Sequence, residues 1–170
     1  SEFMSNIAMS LVSMLYNLQL LHFAGEDGVA AFGVIMYVNF IFLAIYMGYS
    51  IGSAPIVGYH YGAKHHDELR GLLRRSMGIV LAAAVLLTVS SELLSSTLAK
   101  IFVSYDAGLY AMTLHGFRLY SLSYLLCGFN IFGSAFFTAL NDGLVSAMIS
   151  FARTLVFQIV CVLVLPIFFA

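Results

Sequence analysis

Residues 28–63 contain no Asp, Glu, Lys or Arg, and the charged segment His60–Arg75 closes that run. A helix needs about 20 apolar residues to cross the hydrocarbon core of a bilayer, so such a run marks a span with its exit. Charged residues make up 9% of the chain and hydrophobic ones 62%, against about 25% charged in a soluble domain. Backbone polar groups in lipid must be satisfied internally, which leaves helices or closed barrels. The apolar runs are continuous rather than alternating, which excludes a barrel. The predicted fold is all-α, a polytopic transmembrane helical bundle.

Five spans fit the chain, at about residues 6–24, 29–59, 76–101, 109–140 and 144–169. Gly25-Glu26-Asp27-Gly28 reads as a turn, as do Ser104–Gly108 and Asn141-Asp142-Gly143. The second helix is longer than a perpendicular span requires, and Gly48, Gly52 and Pro55 are its candidate hinge. Residues 60–75 read as a short basic amphipathic surface helix, with Leu69, Leu72 and Leu73 on one face. Lys64, Arg70, Arg74 and Arg75 lie in it, so the positive-inside rule puts this segment in the cytoplasm. The Gly25–Gly28 turn is then outside and the Asn141–Gly143 turn inside.

Several classes fall away. No basic stripe offers a nucleic-acid surface, and Cys127 and Cys161 sit in apolar stretches without metal-ligand spacing. His60, His65 and His66 form a cluster, but histidine-box enzymes need several such boxes. This one reads as a solvated loop, not a metal site. No nucleophile–base pair or phosphate loop accompanies it, so an enzyme is not expected. The chain opens Ser1-Glu2-Phe3-Met4 and stops at Pro166-Ile167-Phe168-Phe169-Ala170, which reads as a piece of a longer protein.

Polar residues recur at helical spacing in four of the five spans. The first carries Asn6, Ser10, Ser13 and Asn17, and the second Asn39, Tyr46, Ser50 and Ser53. The fourth carries Ser123, Cys127, Asn130, Ser134 and Thr138, and the fifth Ser146, Ser150, Arg153, Thr154 and Gln158. Each set shares one helix face. Polar side chains at membrane depth pack helix to helix or line a wet cavity. The stripes together predict a shared cavity, with Asn6, Ser13, Asn17, Asn39, Tyr46, Ser50, Asn130, Ser134 and Arg153 as its candidates. Arg153 either snorkels to the cytoplasm or projects inward. The third span shows no stripe over Met77–Leu87, and Glu92 reads as a solvated residue near the outer interface.

The string Gly52-Ser53-Ala54-Pro55-Ile56-Val57-Gly58-Tyr59-His60-Tyr61-Gly62-Ala63-Lys64 resembles the end of the second helix in the carboxy-terminal half of MATE (multidrug and toxic compound extrusion) transporters. Asn6–Tyr16 resembles the first helix of that half, and Gly128–Leu140 its fourth. The resemblance implies a partial lobe of a twelve-helix antiporter in the plasma membrane. Such a protein exports organic cations and other drugs against inward H+ or Na+ flow by rocking two lobes. Its implied partners are the lipid bilayer, the amino-terminal lobe and the drugs, with no cofactor and no nucleic acid. Family members with acidic residues in the first and fourth helices of this half have uncharged counterparts here, such as Asn17 and Asn130. The coupling ion is therefore expected in the amino-terminal lobe. A lipid-linked precursor flippase of the same superfamily, or a helix-packing module without transport, are the alternatives.

Overall fold

A computed structural model describes residues 2–152 together with 156, 158 and 159, the side chains of 2–6, 8 and 9 excepted. Its elements are α1 (Glu2–Gly62), α2 (His66–Val103), α3 (Ala107–Ser121), α4 (Tyr124–Ala139) and α5 (Gly143–Phe151). Ser10–Gly62 and His66–Val103 are long and apolar enough to cross a membrane. Ala107–Ser121 and Tyr124–Ala139 qualify together as one span bent by 49°. The chain is an all-helical membrane protein.

α1 is two arms meeting at Gly25, whose φ of 65° and ψ of −160° lie outside the helical region. The Tyr16 and Phe32 rings stack with centroids 5.5 Å apart. In a straight helix those residues would be separated by about 24 Å, so the arms fold back on each other. Glu26 and Asp27 open the second arm, where negative charge suits the positive end of the helix dipole. The expected Gly25–Gly28 turn is thus a break at one residue, with Gly28 already helical. A Cβ on Gly28 would stand 2.5 Å from the Ala24 Cβ, so the arms meet where that position has no side chain.

α1 ends in a Schellman-type turn. His65 N–H donates to His60 O at 2.9 Å and Lys64 N–H to Tyr61 O at 3.0 Å. Lys64 takes φ 58°, a left-handed conformation that costs a residue with a side chain about 1–2 kcal/mol. Lys64→Gly is therefore expected to raise the thermal midpoint of the detergent-solubilised protein. A lowered midpoint would show that the lysine side chain contributes more than its backbone costs. The same device recurs at Asn141, φ 60°, where Asp142 N–H donates to Phe137 O at 3.0 Å. Asp142 then caps α5 by accepting from Val145 N–H at 3.2 Å.

The structure departs from the expected helices in three places. Residues 60–75 are not a separate surface helix: His60–Gly62 finish α1, and His66–Arg75 are the first turns of α2, continuous with the span. Nothing between Arg75 and Ser76 breaks a helix, and Asp67 and Glu68 suit its first turn. The 109–140 span is two helices broken at Leu122–Ser123. Helix α1 runs through Gly48, Gly52 and Pro55, and its non-helical residue is Gly25. Much of the predicted 144–169 helix lies outside the described residues.

Two apolar clusters hold the bundle. Tyr46, Val57, Leu69, Val80, Ala84, Leu87, Phe132 and Phe136 join α1, the first half of α2 and α4. Ala31, Ile35, Val38, Ala99, Val103, Leu109 and Phe117 join the start of the second α1 arm, the end of α2 and α3. Helix α2 serves both with a stripe of small residues (Ser76, Ala84, Ser91, Ser95 and Ala99), all buried. Small side chains let neighbouring backbones approach closely.

Candidate functional site

Between the two clusters lies a polar layer built on the α3–α4 break. Ser123 N–H donates to Tyr120 O at 2.9 Å and Leu125 N–H to Leu122 O at 3.3 Å, so the ladder tightens to three-residue spacing there. No Pro or Gly causes the break. Hydroxyls enter the ladder instead, a recognised source of helix kinks. Thr88 Oγ1 donates to Ser121 O at 3.3 Å as well as to Ala84 O at 2.8 Å. Ser121 Oγ approaches Arg118 O at 2.7 Å and also contacts Glu92 Oε1. Glu92, read from the sequence as a solvated residue, is half-buried and meets α3 through Ser121.

Below the break, Tyr46 anchors α1 to α4. Its hydroxyl donates to Tyr124 O at 3.0 Å, and its ring lies where a Gly128 side chain would be, 2.4 Å from a Cβ built there. Phe42 packs edge-on to Tyr124 with centroids 5.3 Å apart, and Tyr49 bonds Ser76 Oγ at 2.9 Å. A third polar group joins α4 to α5. Ser134 Oγ lies 3.0 Å from Ser146 Oγ and 2.9 Å from Ser150 Oγ, and Thr138 Oγ1 lies 2.7 Å from Ser146 Oγ. All of these are uncharged hydroxyls, suited to holding helices in register.

The predicted cavity residues divide into an inner and an outer set. Asn39, Tyr46 and Ser50 are buried among the chain's own helices, with Asn39 Nδ2 3.9 Å from Met36 Sδ. Ser50 Oγ has no partner among the described residues. Ser13, Asn17 and Asn130 are exposed, and Asn17 Nδ2 donates to Ser13 O at 3.0 Å. Ser134 belongs to the α4–α5 hydroxyl group. The Asn6 side chain and Arg153 lie outside the described residues. The sequence reading did not single out Ser76, Thr88, Ser91 and Ser95, which lie in the third span outside Met77–Leu87, or Ser121, which lies off the fourth span's stripe.

A groove of about 540 Å³ opens between the α1 arms. Met14, Asn17, Leu18 and Leu21 line one side and Glu26, Val29 and Ala30 the other. Its walls are apolar except for one amide and one carboxylate. At the opposite end of α1, the His60 and His65 rings lie 5.7 Å apart. Among the described residues no group of three or more His, Cys, Asp or Glu side chains is placed to hold a metal ion.

Comparison with curated proteins and with solved structures gives no match. The family model MatE matches residues 3–164, nearly the whole chain. With its helical membrane architecture, the chain belongs to the MatE family, within the MATE-type transporter superfamily.

Proposed function

We propose that this chain is part of the carboxy-terminal lobe of a cation-coupled multidrug efflux antiporter in the plasma membrane, driven by H+ or Na+. The observation that carries the reading, beyond family membership, is the outer polar set. Ser13, Asn17 and Asn130 stand exposed on two of the membrane helices. Uncharged polar groups at such positions need water, a ligand or another polar surface. A cavity shared with the amino-terminal lobe supplies one, and the apolar groove beside Asn17 suits the hydrophobic body of an organic cation. The inner set, Asn39, Tyr46 and Ser50, acts in packing instead. Pro55 and the nearby Gly48 and Gly52 lie in an unbroken helix here, so a hinge role would appear only as a bend in another state of the cycle. Residues 60–75 stay on the cytoplasmic side in this reading.

The test uses the full-length parent in proteoliposomes and follows efflux of a fluorescent organic cation under a proton gradient, then a sodium gradient. Transport under either establishes antiport and names the ion. Asn17→Leu and Asn130→Leu are expected to lower kcat/KM about tenfold, roughly 1.4 kcal/mol of transition-state stabilisation, with unchanged expression. Unaltered export of every drug tried would remove these residues from the cavity. No transport under either gradient, from folded protein, would favour the lipid-linked precursor flippase.

A further inference from the structure

We propose that the start of α2 binds the headgroup of an anionic phospholipid, seated at Gly71 between the Arg74 and Arg75 side chains. The first turns of α2 have two unlike faces. Leu69 and Ser76 are buried, and Leu72 and Leu73 pack with Leu69 on the cluster shared with α1 and α4. Lys64, Arg70, Arg74 and Arg75 are exposed. Among the described residues none of these four has an ion-pair partner. Gly71 lies one turn before Arg74 and Arg75, and residues three and four apart are neighbours on a helix surface. A Cβ at Gly71 would meet nothing within 4 Å, so a ligand has access to the backbone beside both arginines.

Depth in the membrane brings phosphate to this place. Residues 76–91 carry no charged side chain, so Arg75 is the last charge before α2 enters the hydrocarbon core. Side chains on a helix lean toward its N-terminus, here away from the core. The two arginines therefore carry their guanidinium groups over Gly71 and into the phosphate layer, with their apolar stems along the lipid. A guanidinium presents two parallel N–H donors that match a phosphate, which a lysine ammonium does not.

The surrounding charges select an anionic lipid over a zwitterionic one. Four basic residues face two acids, Asp67 and Glu68, in the first turn of α2. These acids offset the positive end of the helix dipole and stand two turns from Arg74 and Arg75, beyond the three- or four-residue spacing of helical ion pairs. The ammonium of a zwitterionic headgroup would meet Arg70 and Lys64, a like-charge contact that a phosphatidylglycerol headgroup avoids. This rests on the antiporter reading only for the leaflet, since that reading puts residues 60–75 on the cytoplasmic side.

The experiment titrates the detergent-solubilised full-length protein with phosphatidylglycerol or phosphatidylcholine and follows bound lipid by native mass spectrometry. Phosphatidylglycerol is expected to bind several-fold more tightly. Arg74→Gln and Arg75→Gln should each weaken it about fivefold, while Lys100→Gln, at the far end of α2, should keep the preference. Gly71→Leu retains every charge and fills the seat, so it too should weaken phosphatidylglycerol several-fold. All four positions lie outside the buried core, and an unchanged thermal midpoint checks that the variants fold. Equal binding of the two lipids overturns the site, as do arginine variants or a Gly71→Leu that bind like wild type. Loss of the preference in Lys100→Gln means diffuse attraction and overturns it as well. Displacement by free glycerol phosphate as effective as by the lipid makes the ligand a soluble phosphate ester and overturns the lipid assignment. A lipid preference in a protein that transports under neither gradient keeps this site and sinks the antiporter, and antiport without the preference does the reverse.

Discussion

Gly128→Ala is expected to destabilise the bundle by about 1–3 kcal/mol, the range for forcing an extra carbon into a packed core. The added Cβ would lie 2.4 Å from Tyr46 Cε1, 2.8 Å from Cδ1 and 2.9 Å from Cζ. These atoms belong to a ring buried in the cluster that joins α1, the first half of α2 and α4, not to the end of a flexible chain. The ring must move, and the Tyr46 hydroxyl then leaves Tyr124 O, which adds the loss of a buried hydrogen bond, about 1 kcal/mol. Tyr46→Phe in the same background separates the terms, because it deletes the hydrogen bond and keeps the ring. If Gly128→Ala alone costs no more than Tyr46→Phe alone, measured by thermal unfolding in detergent, steric packing at Gly128 is not the source of the effect.

Gly25→Ala is expected to open the α1 hairpin. At φ 65° and ψ −160° the residue occupies a region reserved almost wholly for glycine, and a side chain there costs on the order of 1–3 kcal/mol. Nothing lies within 4 Å of a Cβ at Gly25, so the penalty is conformational rather than steric. A straightened or re-angled junction would part Tyr16 from Phe32. Cysteines placed at these two positions in a protein otherwise free of cysteine should cross-link readily. Adding Gly25→Ala should lower the yield several-fold. Equal yields would mean that the arms are held by their packing and that Gly25 merely permits it.

Local chemistry announced some features and concealed others. The Gly25–Gly28 string and the Asn141-Asp142-Gly143 string signal reversals because each carries residues that accept positive φ or cap a helix, and both reversals are present. The union of His66–Arg75 with the following span was not legible. A change from charged to apolar residues marks a change of solvent, and it does not interrupt the backbone ladder. Pro55 misled in the other direction, since a proline in a membrane helix need not break it. The break at Leu122–Ser123 carries no Pro or Gly to announce it. One of the hydroxyls that enter the ladder there belongs to Thr88, more than thirty positions earlier in the chain, which reaches Ser121 O.

The cavity stripes show the same limit. Periodicity places Asn39, Tyr46 and Ser50 on one face, and likewise Ser13 and Asn17, but it says nothing of what that face meets. Here the first set is buried among the chain's own helices and the second is exposed. Glu92 could not be weighed from position alone, because its partner Ser121 stands on another helix. A lone acid near the end of an apolar run looks solvated until that partner is known.

The division of the described interior into two apolar clusters gives the bundle two stability units rather than one. Phe117 and Phe132 sit in different clusters and share no buried neighbour, although Phe42 packs against both groups. Truncations at these two positions should have nearly additive costs, within about 0.5 kcal/mol. Backbone amides on α3 and α4 should also exchange with solvent at different rates, as sub-globally opening segments do. The bundle can thus loosen at one end while the other keeps its packing.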